Sequence, residues 1–297
     1  SSFSWTFKIT KYYTKVFMPN DLQTKFELYK TLVTSQQDFN GFIDFDHCDS
    51  LLFSGLLSSV PGVTVNLTAA KNDAGQWFRR PLNYPECLAC GGSSSTISKD
   101  MVIGLAWHIY ANKRLDLCEA FINYALRNFL VIGTANTLKT KLGTCLLTPG
   151  LLATYAEISY RLGGPNRWWL RYLPQYESAA VTGFEAHLSV LHLLLRKKLT
   201  GKVSVSDEQI LLGHATSQPN NPLFQIAVGN ANRAQVLLAN EAWWPADRLP
   251  TTADRSEPWL LQRDYGEDWQ PNPAAQPPKT HSGADFLFCY ALLAGLI

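Results

Sequence analysis

Apolar side chains recur along this chain in two alternating kinds of helix. Residues 101–110 are apolar on every side, and Asp100 stands where this helix would begin. In the segment that follows, the polar residues Glu119, Asn123 and Arg127 recur every four positions with apolar residues between them. A helix that is apolar all round is buried, and one with a single polar face lies outside it. This stretch therefore predicts an inner helix followed by an outer one.

The same unit is repeated along most of the chain. Successive apolar helices start 35 to 62 residues apart, which leaves room each time for an outer helix and its loops. No motif repeats strictly, which disfavours solenoids with a fixed consensus. The pattern predicts an all-α fold, an (α/α)6 toroid of inner and outer helices, with an irregular all-α bundle or an open array of helical hairpins as alternatives. The six predicted starts lie near residues 49, 100, 149, 184, 222 and 284.

Local capping signals mark several of these helices. Thr148 precedes a proline at the first helical position, which is a common helix start. Residues 182–185 have the spacing of a capping box, and residues 206–209 repeat it before a short helix. Asn221 followed by proline predicts one further helix that reaches about Ala242.

Two stretches depart from the helical pattern. Residues 62–80 contain two extended runs around the turn-forming sequence KNDAG, which predicts a β-hairpin at one end of the helices. Residues 243–281 form a long loop rich in proline and aromatic residues. Loops of that length are usually functional or disordered, and the aromatic residues favour function. We expect residues 1–297 to be one domain, which can be a fragment of a longer chain.

Composition excludes several classes of protein. A chain of 297 residues with 46% hydrophobic and 12% aromatic residues is typical of a globular protein. The formal net charge of +2 is too small to indicate a nucleic-acid surface or a charged membrane surface. No apolar run reaches the roughly 18 to 20 residues of a membrane span. We therefore expect neither nucleic acid nor a membrane as partner.

The cysteines give information about the cellular compartment of the protein. Six cysteines in this length are too few for a disulfide scaffold, and four lie in apolar settings typical of helices with buried free thiols. This favours a cytoplasmic protein, while release or incorporation into a virion stays open, since a cleaved signal peptide would not be visible. The four are Cys48, Cys118, Cys145 and Cys289.

Acidic residues stand at the predicted starts of the inner helices. In a toroid these starts surround one end of the barrel, where Asp49, Asp100 and Glu185 are the candidate catalytic residues. Acids in a first turn also complement the helix dipole, which gives each of them a structural explanation. Glycoside hydrolysis needs one protonated carboxyl and one ionised carboxylate, and two acids on neighbouring helices can supply them.

Further residues near these starts are candidates for binding a substrate. Aromatic rings in loops can stack on sugar rings, and an arginine can hold a carboxylate or sulfate through two hydrogen bonds. The structural alternatives are tryptophans that anchor loops and a solvated end of the hairpin. The candidates are His47, Trp77, Arg79, Arg80, Trp244, Tyr265, His281 and Asp285.

The layout and two short motifs resemble the (α/α)6-toroid glycosidases, the clan of the family-8 endoglucanases and chitosanases and the unsaturated glucuronyl hydrolases. DSLLFSG at 49–55 is similar in placement to the first inner-helix start of the family-8 enzymes, and SKDMVIG at 98–104 resembles their second acidic motif. The resemblance implies Asp49 as general acid and Asp100 as base or sugar-contacting carboxylate. Asp49 stands where that family typically has Glu, and its glycine-rich signature is missing, so the resemblance covers the clan and not the family.

Other chemistry has less support. Cys87 and Cys90 form a lone CxxC pair without the second pair of a zinc ribbon, and no nucleotide-binding loop or G-x-S-x-G motif is present. We predict no metal and no cofactor. The predicted function is hydrolysis of a polysaccharide or oligosaccharide. The alternatives are a polysaccharide lyase using His47 or His281 with Arg79 or Arg80, and a non-catalytic module of a surface or virion assembly.

Overall fold

The computed structural model of the chain describes residues 20–43, 49–84, 96–134, 144–175, 177, 183–251, 253–254 and 280–297. These residues are mostly helical, which confirms the all-α class, and they include one two-stranded antiparallel sheet of β1 (Val131–Thr134) and β2 (Thr144–Leu146). The helices are α1 (Asn20–Thr34), α2 (Ser50–Leu57), α3 (Lys99–Ala111), α4 (Leu115–Arg127), α5 (Pro149–Arg161), α6 (Trp168–Arg171), α7 (Gly183–Thr200), α8 (Val205–Ser217), α9 (Pro222–Ala227), α10 (Ala231–Leu238) and α11 (Ala284–Leu293).

Six of these helices are the ones that the apolar pattern predicts. Helices α2, α3, α5, α7, α9 and α11 begin within one residue of the predicted starts. Each packs against the next in this order, and α11 packs back against α2, so their contacts form a closed circuit. Helices α1, α4, α6, α8 and α10 each pack against one or two members of the circuit. We call the six helices of the circuit, which are the more deeply buried, the inner helices and the other five the outer helices.

Two glycines bring α2 and α3 into backbone contact. A Cβ added at Gly55 would lie 2.4 Å from the carbonyl oxygen of Gly104. Further along both helices, the Oγ of Ser58 lies 2.8 Å from Nδ1 of His108. Since later residues of α2 contact later residues of α3, the two inner helices run in the same direction.

Two of the outer helices run antiparallel to an inner neighbour. In α4 and α5, and again in α1 and α11, a later residue of one helix contacts an earlier residue of the other. The contacts are Ser159 Oγ to Glu119 Oε1 at 2.6 Å, Phe121 to Tyr155 at 4.5 Å between ring centroids, Phe26 to Tyr290 at 4.2 Å and Tyr29 to Phe286 at 4.7 Å.

The predicted β-hairpin over residues 62–80 forms only around its turn. An antiparallel bridge joins Lys71 to Trp77, and the backbone N–H of Phe78 donates to the carbonyl of Ala70 at 2.8 Å. Before the turn the backbone N–H of Asn66 donates to Asn40, and residues 67–70 form a 3-10 turn. The sequence pattern therefore predicted the turn but overstated the length of the paired strands.

The start of α8 and the end of α9 differ from the positions that the sequence predicts. The capping box of α8 belongs to Ser204 and Asp207, two positions before the predicted start of the box. Asn221 caps α9 by accepting hydrogen bonds from two backbone N–H groups, as predicted. The single helix expected to reach Ala242 instead breaks at Gly229, whose positive φ of 80° ends α9 before α10 begins.

Replacing Ser204 by Ala is expected to cost about 1 kcal/mol of the free energy of unfolding, because the Asp207 backbone N–H would lose its cap at the start of α8. Urea unfolding measures this change. Ser206→Ala is the comparison variant, because Ser206 is exposed and caps no backbone N–H, although its hydroxyl lies 2.8 Å from that of Ser204. It should stay within about 0.5 kcal/mol of the wild type. A larger loss of unfolding free energy for Ser206→Ala than for Ser204→Ala would instead place the capping box at Ser206, as the sequence predicts.

Only part of the predicted loop over residues 243–281 lies within the described residues. Thr251 and Thr280 form an isolated antiparallel bridge, and the backbone N–H of His281 donates to Pro250 at 2.8 Å. Residues 255–279, which include Tyr265, lie outside the described residues, as do His47 and the Cys87–Cys90 pair. Within the described ranges, no helix is both long enough and apolar enough to cross a bilayer.

Candidate functional site

Arg79 links the starts of two inner helices. Its carbonyl accepts from the backbone N–H of Leu51 in α2 at 2.9 Å, and its own N–H donates to Thr96, just before α3, at 3.0 Å. The buried guanidinium donates from Nη1 to Oδ1 of Asp49 at 2.9 Å. Arg79 is therefore held by its backbone between α2 and α3, with its charge directed at the acid that precedes α2.

Asp49 occupies the N-cap position of α2, but its carboxylate makes no capping hydrogen bond there. The carboxylate instead pairs with Arg79, and its side chain keeps 20% of its surface exposed. An arginine at hydrogen-bond distance favours the ionised form of a carboxyl group. Capping therefore does not explain this acid, which is a partly accessible carboxylate held by a buried cation.

Asp100 lies in the first turn of α3 and is buried, with 9% of its surface exposed. Burial raises its pKa above the ordinary 3.8, opposed by its own backbone N–H, by the charge of Arg79, by the Ser98 hydroxyl and by Lys99. Desolvation is the largest of these effects because a buried carboxylate loses its hydration. Arg79 thus contacts Asp49 directly and acts on Asp100 through its charge, and the two acids differ in their surroundings.

Cys145 belongs to the same group of side chains and was not predicted there. It lies on β2 and not in a helix, and it is half-buried. Burial raises the pKa of its thiol, the charge of Asp100 raises it further, and Arg79 and Lys99 oppose the shift. Its strand partner Gly133 packs so closely on the segment before α3 that an added Cβ would lie 2.4 Å from Ile97. The β1–β2 pair therefore forms one wall beside Asp100.

The start of α11 carries a second buried acid. Oδ1 of Asp285 accepts from the backbone N–H of Phe286 at 2.8 Å and from Nε1 of Trp244 at 3.4 Å. His281, four residues earlier, is also buried. These contacts hold Asp285 among core residues, so a structural role for this acid is supported directly.

The remaining predicted residues are distributed differently. Trp77 and Trp244 are buried, with 2% and 0% of their surfaces exposed, so neither ring has a face open to a sugar. This burial corrects the expectation that they stack on a substrate; both belong to the core. Arg80 is buried beside Arg79, whereas Glu185 is exposed in the first turn of α7.

A buried polar cluster joins α5 and α7. Nδ1 of His192 lies 2.5 Å from Oε1 of Glu177, and its Nε2 lies 2.7 Å from Oγ1 of Thr154. Thr154 also donates to the carbonyl of Gly150, one turn earlier. His187 lies on α7, as His192 does, and burial lowers its pKa to about 3, which keeps that imidazole neutral. The cluster ties residue 177 to both inner helices.

Among the described residues, no group of three or more His, Cys, Asp or Glu side chains is arranged to hold a metal ion. The described part of the site thus consists of Asp49, Arg79 and Asp100 around the starts of α2 and α3, with Cys145 on β2. No protein-family model, no curated protein and no solved structure matches this chain.

Proposed function

We propose that the six apolar helices are the inner ring of an (α/α)6 toroid. The closed circuit of contacts supports this arrangement, as does the common direction of α2 and α3. The ends of three more members also meet: Lys197 and Lys198 at the end of α7 donate to the carbonyls of Ala227, which ends α9, and Ile297, beyond α11. In a toroid the opposite ends of these helices, where Asp49 and Asp100 stand, surround one opening.

The proposed function is hydrolysis of a glycosidic bond in a polysaccharide. The observation that carries it is that Arg79 is ion-paired with the partly exposed Asp49 and that its charge also acts on the buried Asp100, whose pKa is raised. Pairs of acids whose surroundings push their protonation states apart are how enzymes assign the acid and the base. Glycosidases require such a pair, one protonated and one ionised.

These surroundings favour roles opposite to those that the family resemblance implies. Burial favours the protonated form of Asp100, which suits it to donate a proton to the leaving glycosidic oxygen. The Arg79 guanidinium favours the ionised form of Asp49, which suits it to activate water or to attack the sugar carbon. Once Asp100 has given up its proton, the charge of Arg79 also stabilises its carboxylate.

Two alternatives have less support from the same residues. A lyase would need an arginine to neutralise a uronate, but Arg79 already pairs with Asp49 and Arg80 is buried. A purely structural module would account for Asp49 as the ion-pair partner of Arg79, but not for Asp100, whose burial disfavours its ionised form.

The test is release of reducing ends from a panel of neutral, amino and acidic polysaccharides. We expect the wild type to act on at least one member. Asp49→Asn should lower the rate by at least about 100-fold, because the ionised carboxylate is lost. Asp116→Asn is the matched control, since Asp116 also stands in the first turn of a helix but is exposed on α4, and it should keep its activity.

Two outcomes would contradict hydrolysis, and a third would contradict the role of Asp49. An unsaturated uronate at the new chain end would identify a lyase. Binding to a polysaccharide without cleavage of any panel member would identify a module. Equal rates for the wild type and for Asp49→Asn would remove Asp49 from the reaction.

A further inference from the structure

Ser98 stands at the N-cap position of α3, two residues before Asp100. Its backbone has the extended conformation of an ordinary N-cap residue, with φ −134° and ψ 173°. A serine there normally accepts a hydrogen bond from the backbone N–H of the second or third helical residue, but the Ser98 side chain makes no such bond. Ser98 therefore has the position and backbone of a cap without acting as one. Three other N-cap side chains of this protein do cap their helices: Thr148, Ser204 and Asn221.

Asp100 accounts for the missing cap. The second helical residue of α3 is Asp100 itself, because the helix begins at Lys99. The backbone N–H of Asp100 acts on the carboxyl group of the same residue, where it favours the ionised form. This N–H is therefore directed at the Asp100 carboxyl group and not at the Ser98 hydroxyl. Since both side chains lie beside one N–H group, the hydroxyl and the carboxyl group are close together.

The Ser98 hydroxyl is a buried donor. Its Oγ is shielded from solvent and makes no hydrogen bond with any described residue. A buried hydroxyl without a partner costs free energy, so each such group calls for an explanation. The same hydroxyl favours the ionised form of Asp100. A carboxylate is a stronger acceptor than a protonated carboxyl group, so the hydroxyl gains a partner when Asp100 loses its proton.

We propose that Ser98 is a positioning residue whose hydroxyl donates a hydrogen bond to the Asp100 carboxylate after the proton has passed to the leaving glycosidic oxygen. This role rests on the proposed function. The proton moves from Asp100 to that oxygen as the bond from the sugar carbon to the oxygen breaks, and the negative charge stays on Asp100. No covalent bond to Ser98 forms or breaks. A donor already in place where charge develops stabilises the transition state.

The other groups that act on Asp100 differ from Ser98 in kind. Arg79 and Lys99 favour the carboxylate through their charges, and the Cys145 thiol is itself affected by the charge of Asp100. Arg79 already pairs with Asp49 at 2.9 Å, and Lys99 is exposed. The Ser98 hydroxyl is neutral, so it can stabilise the carboxylate without adding a second charge to the site.

NMR titration of Asp100 in the full chain tests the inference without depending on hydrolysis. Isotope-labelled aspartate would supply the signals, and the Asp100 signal is the one absent from Asp100→Asn. In Ser98→Ala we expect the titration midpoint of Asp100 to move upward by at least about 0.5 pH unit, because the carboxylate loses a hydrogen bond. Ser98→Thr retains a hydroxyl and should keep the wild-type midpoint. Ser206→Ala is the control, since it makes the same chemical change at an exposed position of α8.

The pH dependence of hydrolysis gives a second readout. Ser98→Ala should lower the rate about tenfold, because the charge left on Asp100 is less well stabilised. The alkaline limb of the pH–rate profile should move upward with the Asp100 midpoint, since Asp100 acts in its protonated form. A merely structural role of Ser98 would lower the rate without moving this limb.

The outcomes separate this inference from the proposed function. A midpoint that rises in Ser98→Ala and returns in Ser98→Thr supports the hydrogen bond even if no polysaccharide is cleaved. Cleavage by the wild type with an unchanged Asp100 midpoint in Ser98→Ala overturns the inference and leaves hydrolysis standing. The inference also fails if Ser98→Ala loses as much unfolding free energy as Ser204→Ala while the midpoint stays the same, which would identify Ser98 as an ordinary cap.

Discussion

An Asp100→Asn protein is expected to lose at least about 100-fold in the rate of hydrolysis and yet to be more stable than the wild type at neutral pH. The loss of rate follows from the proposed role of Asp100 as proton donor, because an amide cannot give a proton to the leaving oxygen. The gain in stability has a separate cause, which is that Asp100 is buried.

The sign of the stability change follows from the raised pKa of Asp100. The folded protein holds this proton more tightly than the unfolded chain, whose carboxyl titrates near 3.8. As pH rises above that value the unfolded state releases the proton first, so the free energy of unfolding falls until the folded carboxyl is ionised too. Asparagine stays neutral and avoids this loss. The advantage of Asp100→Asn should therefore shrink as pH is lowered towards 3.8.

Asp49→Asn should shift stability in the opposite direction. It removes the negative charge that pairs with the buried Arg79 guanidinium at 2.9 Å. Since Asp49 is partly exposed and the amide can still accept a hydrogen bond, we expect a loss of about 1 to 3 kcal/mol. Urea unfolding of both variants at neutral and acid pH measures the contrast. Equal destabilisation by the two variants would instead identify both acids as partners of the helix dipole.

The helix starts could be predicted because their signals are local. Thr148 caps α5 by accepting from the backbone N–H of Leu151, with proline at the first helical position, as the sequence indicates. Asn221 does the same for α9. The apolar character of each inner helix is likewise contained in a dozen consecutive residues. For these elements, the residues that determine the helix start are neighbours both in the sequence and in the structure.

The site could be predicted only in part, because its contacts join distant parts of the chain. The acids were visible at the helix starts, but nothing local indicates that Arg79 binds Asp49, 30 residues away, or that it also acts on Asp100. Cys145 was missed because the β1–β2 pair was not predicted. Trp77 was a candidate for stacking on a sugar because it was assigned to a loop, but the ring itself is buried.

Gly104→Ala is expected to destabilise the protein by about 3 kcal/mol or more, because the added methyl group would overlap the backbone of α2. The new Cβ would lie 2.4 Å from the carbonyl oxygen of Leu52 and 2.6 Å from its Cα. Both atoms are backbone, so no side-chain rotation relieves the overlap. Helices α2 and α3 would have to move apart. This movement would also separate Asp49, at the start of α2, from Asp100, in the first turn of α3. We therefore expect hydrolysis to fall as well, even in the fraction that stays folded.

Gly213→Ala is the control, because it makes the same chemical change inside a helix that has room for it. No atom lies within 4 Å of a Cβ added at Gly213 in α8. Alanine there should raise the free energy of unfolding by about 0.5 to 1 kcal/mol, since glycine loses more backbone freedom on folding. Urea unfolding of both variants measures the two changes in the free energy of unfolding. If Gly104→Ala is also neutral or stabilising, α2 and α3 are not in backbone contact. The closed circuit of inner helices would then lack the close α2–α3 contact.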